Sequence, residues 1–461
     1  MNEKNLWEIY TPEDLKEMEA VTDRYKACID TGKTERECVR LTVKMAEEAG
    51  YLPLKEAIGK GNKLEAGDKV YAVYNEKTIV LYHIGEEPLE KGMNILGAHI
   101  DSPRIDVKQN PLYEKDGLAY LDTHYYGGIK KYQWVTIPLA IHGVIVRKDG
   151  TKAEVNIGED EKDPVFTITD ILVHLSKKQM EKKAGAVIEG ENLDLLIGSV
   201  PLKDEEKDAV KANMLKLIEE KYQVEEDDFL SAELEIVPVG KARDLGFDRS
   251  MILAYGQDDR ICAFTSLMAL LEMTETPKRT SCCILVDKEE IGSYGASGMQ
   301  SRFFENATAE VLQLCGYTSD LSLRRCLQNS KMLSSDVSAA YDPLYADVFE
   351  KKNSAYFGKG LVFNKYTGSG GKGSSSDANA EYMAEIRKVM DDGKVCFQTA
   401  ELGKVDAGGG GTIAWIMARY GMEVIDSGIA LLCMHAPMEA ASKADIYEAV
   451  RGYKAFLKNM G

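Results

Sequence analysis

The sequence predicts an α/β protein: a mostly parallel sheet with helices on both faces, plus an inserted β-rich block. Three observations carry that prediction. Short apolar runs of strand length end abruptly in polar side chains near residues 99, 289, 336 and 435. After about residue 240 strand-like runs alternate with helix-like stretches, the pattern of a largely parallel sheet covered on both sides. Between about 104 and 239 the texture is instead alternating and β-rich. At 461 residues the chain exceeds the size at which one core splits. The expected domains are therefore a discontinuous one, residues 1–103 with 240–461, and an inserted one, residues 104–239.

Each element has its own signal. Thr11-Pro12-Glu13-Asp14 is a helix start, with a capping hydroxyl, proline at the first position and acids in the first turn. That helix runs to about Asp30, and Thr34 caps a second that Gly50 ends. Residues 69–85 read as a hairpin around Asn75-Glu76-Lys77, followed by the strand carrying His99. In the inserted block, Leu118–Tyr126, Trp134–Arg147 and Ala153–Ile157 read as strands, with Asp149-Gly150 as a hairpin turn. The charge-rich stretch Lys203–Asp228 reads as a solvated helix with a flexible neighbour, and Ala232–Val239 as strand again. Farther on, Ile261–Met273 and Asp377–Lys388 are helix-like and Gly360–Lys365 strand-like. The Gly-rich stretch Thr367–Ser376 reads as a mobile or substrate-proximal loop. Gly408–Gly411 lacks the Lys-Ser/Thr of a phosphate loop, so close backbone packing before a helix near Thr412 explains it better.

The strand ends carry the chemistry. The run Cys282–Val286 breaks into Asp287-Lys288-Glu289-Glu290. Two adjacent carboxylates repel unless a cation holds one or one stays protonated. A hydrolytic metal site needs such a pair, one as ligand and one as general base for water. Gly97-Ala98-His99-Ile100-Asp101 ends another run, and period-two alternation puts His99 and Asp101 on one side. Asp101 is thus placed to fix the imidazole tautomer while His99 ligates. Gln257-Asp258-Asp259-Arg260, Ser334-Ser335-Asp336-Val337 and Met434-His435-Ala436-Pro437 add three further candidates. Two histidines with several carboxylates and no thiolate suit zinc, manganese or cobalt. His83 and His142 read as core residues, and His124 as surface or substrate-facing.

Taken in order, these motifs, with Asp406-Ala407-Gly408-Gly409-Gly410-Gly411-Thr412-Ile413, resemble the aspartyl aminopeptidase family of co-catalytic zinc exopeptidases. The likeness runs from about residue 10 to the C-terminus. It implies two divalent ions per subunit, Zn2+ before Mn2+ or Co2+. His99 and Asp336 would hold one, Glu290 and His435 the other, with Asp258 between them. It implies Glu289 as general base, Asp101 as the group orienting His99, and a cis Asp258–Asp259 peptide. His174 resembles a histidine that stabilises the reacting carbonyl, although its surroundings also read as an amphipathic helix. The resemblance further implies that the inserted domain builds dimers, that dimers form a tetrahedral dodecamer around a chamber, and that the substrates are short peptides with a free N-terminus. Acid-preferring relatives carry a lysine on the strand matching Gly360–Tyr366; here Asn364 and Lys365 stand there, and Lys372 adds a nearby cation.

Composition narrows the partners. The formal net charge of −18 argues against nucleic acid and anionic membranes. Nine scattered cysteines without a CxxC pair, no signal-like N-terminus and no membrane-length apolar run make the cytoplasm the expected compartment. Two other readings compete. An N-acyl amino acid deacylase or carboxypeptidase on the same metals would need an arginine for a free carboxylate, and Arg104 and Arg260 lie near ligands in sequence. A non-catalytic chambered shell is the other, against which the complete ligand set with Glu289 argues.

Overall fold

The computed structural model describes residues 5–461. The chain divides into two compact units: residues up to Asp101 with Ala242–Met434 and Glu439–Gly461, and Ser102–Lys241 with His435–Met438.

The first unit is built on a nine-stranded sheet. Its order is Leu52–Pro53, Lys69–Tyr74, Thr78–His83, Ser281–Val286, Asn94–His99, Lys331–Ser335, Glu423–Gly428, Leu361–Asn364 and Phe397–Thr399. Five of the eight pairings are parallel; the other three belong to the 69–83 hairpin, its junction with Ser281–Val286, and Leu361–Asn364 against Glu423–Gly428. The central strands are apolar along their whole length because both faces are covered. Ile95, Cys282, Ile284, Met332 and Val424 face one core, shared with Phe304, Val311, Leu327 and Met417 from helices. Leu96, Cys283, Leu285, Leu333 and Ile425 face the other, shared with Tyr25, Phe264, Ile386 and Phe456. Alternation along each strand thus feeds two cores, each buried Leu or Ile contributing about 1.5–3 kcal/mol.

The Pro12–Thr31 and Glu35–Glu48 helices both open on capping boxes. The Thr11 and Thr34 hydroxyls accept from the Asp14 and Glu37 N–H groups, whose carboxylates accept in return from the capping N–H. A smaller five-stranded sheet, in the order Arg243–Leu245, Met251–Ala254, Glu439–Ser442, Ala430–Leu432 and Ser338–Ala339, completes this unit.

The second unit is a seven-stranded sheet in the order Lys152–Ile157, Leu139–Val146, Ala232–Pro238, Arg104–Lys115, Leu118–Tyr126, Leu195–Gly198 and Thr167–Ile168. Every pairing in it is antiparallel. The strand expected from Trp134 begins only at Leu139, since Trp134 closes a 3-10 turn over Lys131–Gln133. The helix expected near Thr412 covers only Ala414–Ala418. The sequence around His174 forms one 3-10 turn, Val173–Leu175, not an amphipathic helix. Its apolar neighbours Ile171, Leu172, Val173 and Leu175 are exposed, so no covered face exists for such a helix to pack. Among the described residues no helix is long and apolar enough to cross a membrane.

Candidate metal centre

Three adjacent parallel strands deliver the polar groups of the first unit to one edge of the sheet. Register pairs Val286 with His99 and Leu333 with Leu96, so Ser281–Val286, Asn94–His99 and Lys331–Ser335 end together. At those ends or just past them stand Glu289 and Glu290, His99 and Asp101, and Asp336. Open α/β sheets place ligand sites at such carboxyl ends. Asp258 arrives from the start of the Gln257–Leu271 helix, whose first turn holds a cis Asp258–Asp259 peptide with non-helical dihedrals.

The groups meet closely. His99 Nε2 lies 3.3 Å from Asp258 Oδ1 and 3.9 Å from Glu289 Oε2. One donor atom each from His99, Asp258 and Asp336 falls within 4.8 Å of the others, and the same holds for His99, Glu289 and Glu290. His99, Asp101 and Asp258 are buried, while Glu289 and Glu290 are half-buried. Burial drives the imidazole toward its neutral form, but hydrogen bonds to Asp101 and Asp258 outweigh this and hold the His99 proton well above its usual range. Burial also pushes the Asp336 carboxyl far up, as does the nearby Asp259 charge. A buried surplus of carboxylate and imidazole donors is the environment a divalent cation neutralises, and the N/O donor set fits zinc.

Asp101 does more than orient His99. Its backbone oxygen lies 3.0 Å and its Oδ1 3.3 Å from His99 Nδ1. Its two carboxylate oxygens also accept from the Glu289 and Glu290 backbone N–H groups, each at 3.1 Å. One side chain therefore sets the position of the imidazole and of both glutamates. Lys288, just ahead of them, takes a left-handed φ of 70° that a non-glycine residue adopts only under constraint.

Glu439 lay outside the residues the sequence singled out, and Gln257 entered there only as part of its motif. Glu439 Oε2 accepts from the Asp258 N–H at 3.1 Å. Gln257 donates to the Glu439 carbonyl at 2.7 Å and accepts from the Tyr25 hydroxyl at 3.2 Å. The available signal was an acid opening the apolar stretch Glu439-Ala440-Ala441, since a carboxylate buried there must have partners. Asp259 Oδ2 accepts from the His99 N–H at 3.4 Å.

His435 is grouped with the second unit, at φ 65°, and its Nδ1 lies 2.9 Å from the Gly128 carbonyl oxygen. His174 is exposed there, as is His124, whereas His142 pairs with Glu159. Arg104 pairs with Asp106 and Glu235 and stacks over Tyr126. Arg260 is buried, its Nε donating to the Ile100 carbonyl. Lys365 and Lys372 both face Asp377, at 3.9 and 2.9 Å, and Asn364 is buried with its amide on the Ala400 carbonyl.

An α/β frame presenting buried imidazole and carboxylate donors at its sheet edge is that of a metal-dependent enzyme. Comparison with known proteins narrows the class. The profile of peptidase family M18, described as aminopeptidase I zinc metalloprotease, matches residues 28–457. A probable M18 family aminopeptidase 1 of Clostridium acetobutylicum is 63% identical over 457 residues, 99% of this chain and 98% of that one. The crystal structure of an M18 aminopeptidase from Thermotoga maritima superposes with a TM-score of 0.94 at 45% identity, covering 99% of each chain. The mApe1 dodecamer of S. cerevisiae shares the fold, with a TM-score of 0.78 at 21% identity over 96% of this chain and 98% of that one. The chain belongs to the M18 family and is a zinc metallo-aminopeptidase, a hydrolase of peptide bonds. That membership displaces the deacylase, carboxypeptidase and non-catalytic readings.

Proposed function

We propose that the protein removes single N-terminal residues from short peptides at a site holding two zinc ions per subunit. His99 and Asp336 hold one ion and Glu290 and His435 the other, with Asp258 shared. Bound zinc supplies a Lewis acid and lowers the pKa of water. Glu289 takes the proton of the attacking water and passes it to the departing amine. Asp101 keeps the His99 tautomer and the two glutamate backbones in place. His174 donates to the reacting carbonyl. The observation that carries this reading is the convergence of His99 Nε2 with Asp258 Oδ1 at 3.3 Å and Glu289 Oε2 at 3.9 Å beside the doubly bonded Asp101 carboxylate.

The family resemblance implies acidic N-terminal residues, while some members of that family prefer neutral or basic ones. Recognition of acidic residues requires Lys365 or Lys372 to exchange Asp377 for a substrate carboxylate. The S. cerevisiae relative is a dodecamer; the same reading has this chain form dimers through its second unit, and the dimers a tetrahedral dodecamer. Cytoplasmic location belongs to the same reading.

The test is an assay of zinc-, manganese- and cobalt-loaded protein on aminoacyl-p-nitroanilides, with N-acetylated counterparts, alongside metal counting. Turnover of free-amine substrates alone, with two metals per subunit, is expected. Turnover of acetylated substrates, or full activity with one metal, would overturn the proposal.

A further inference from the structure

We propose, building on the reading of Glu289 as general base, that Ile291 and Tyr294 form a wall for the second residue of the peptide. That wall selects large apolar side chains. Both residues stand on the segment directly after the two glutamates: Ile291 ends the Glu289–Ile291 3-10 turn, and Tyr294 follows three residues on. Ile291 is 47% and Tyr294 68% exposed, although their neighbours Ser293, Ser297 and Met299 are buried. A single exposed apolar residue is ordinary. Two of them on the turn that carries the proton acceptor lie where the departing half of the substrate must pass.

The segment is fixed before any substrate arrives. The Ser293 N–H donates to the Lys288 carbonyl at 2.6 Å, and the Gln300 N–H to the Ser293 carbonyl at 3.2 Å. The Gln300 amide also donates to the Gly292 carbonyl at 3.0 Å. Farther on the chain returns to the sheet, where Gly298 bridges Asp287 and the Thr78 hydroxyl donates to the Ser297 carbonyl. A contact surface held in this way costs little ordering entropy when it is used.

Sheet order assigns the side. On one flank of Ser281–Val286 lie Asn94–His99 and Lys331–Ser335, which lead to His99 and Asp336, and beyond them Leu361–Asn364. Lys365 and Lys372, the cations invoked for the first residue, follow that last strand. Thr78–His83, to which the Tyr294 segment is tied, is the neighbour on the opposite flank. The two halves of the substrate extend in opposite directions from the reacting carbonyl, so the departing half runs toward Ile291 and Tyr294. The chemical class follows from composition. Residues 291–301 carry no charged side chain, in a chain where 29% of residues are charged. A branched aliphatic group and a ring gain by covering apolar area and offer an acid or base no counter-ion.

The test is kcat/KM of the full zinc-loaded protein on tripeptide amides ending in glycine, with one fixed, well-cleaved first residue. The second residue is Phe, Leu, Gly, Asp or Lys. Phe and Leu should exceed the other three by roughly tenfold, the low end of what one apolar contact lends a substrate. Tyr294→Ala should bring the Phe-to-Gly ratio close to one with melting temperature and zinc content retained, and Tyr294→Phe should keep the ratio high. Ile291→Ala should lower the Leu-to-Gly ratio, and serves alone if the first variant misfolds. Equal rates across the five peptides, or ratios that neither alanine variant moves, overturn the proposal and leave the aminopeptidase reading standing. No turnover of any free-amine peptide overturns both. A smaller assembled mass of Tyr294→Ala in light scattering would make Tyr294 a contact between copies, and overturns the proposal alone.

Discussion

Glu289 and Asp101 touch at the same backbone yet are expected to fail differently when altered. Glu289→Gln keeps the side-chain volume and the N–H that Asp101 accepts, and removes only the proton acceptor. Zinc content should remain at the wild-type value while turnover falls by about 10²–10⁴-fold; a metal-free variant would show that Glu289 is a ligand instead. Asp101→Asn replaces one of two acceptor oxygens with an amide donor, so the Glu289 or Glu290 N–H loses its partner. Zinc affinity measured against a chelator should drop roughly 10–100-fold, with kcat falling because Glu289 is no longer held. The convergence of His99, Asp101 and the Glu289–Glu290 pair was legible from spacing at strand ends. Glu439 was not, because a single sequence does not say which N–H a distant acid will reach.

At the scale of elements, close strand packing ties the sheet to the metal site. A Cβ on Gly428 would lie 1.8 Å from the Asp336 carbonyl oxygen and 2.5 Å from its carbon. Both are backbone atoms, so Gly428→Ala must push the Asp336 segment away from Glu423–Gly428. Melting temperature, zinc affinity and activity should all fall together; loss of stability with unchanged zinc affinity would break the link. At the opposite end of the sheet, His83 opposes Ser281 and is buried, with burial first and Lys69 second pushing its pKa down to about 4. The folded pKa lies below the unfolded value of about 6.5, so this stability is complete above pH 6.5 and lost as pH falls toward 4. The loss amounts to up to about 3 kcal/mol. His83→Leu should flatten the melting curve across pH 6.5–4 relative to wild type, and parallel curves would refute it. The hairpin over 69–83 and both capped helices were legible because their turn and cap chemistry is local. The late start of the strand at Leu139 and the single turn at His174 were not, since tertiary contacts decide how much of an apolar stretch is paired.

Over the whole molecule, the second unit offers an exposed apolar ridge at Ile171, Leu172, Val173 and Leu175 around His174. Isolated apolar residues on a surface are ordinary, but a contiguous run marks an interface. Size-exclusion light scattering of the zinc-loaded protein should give a mass near twelve subunits, and Val173→Glu with Leu175→Glu should lower it. A monomeric wild-type protein would reject the assembly reading. The net charge of −18 repels acidic peptides at long range, so any preference for them must arise from local cations.

By itself the sequence determined the alternation of strands and helices, the block of β-rich texture in the middle, and the residue types at each strand end. These are local or periodic properties: side-chain alternation, turn chemistry and the cost of placing a charge after an apolar run. Family membership was legible for the same reason, as ordered motifs. Tertiary structure alone decided that Ser281–Val286, Asn94–His99 and Lys331–Ser335 lie side by side in that order. It also decided that Asp101 answers two peptide groups 188 and 189 residues away. Such pairings depend on which buried donors are left over once both cores are packed, and no local pattern encodes that remainder.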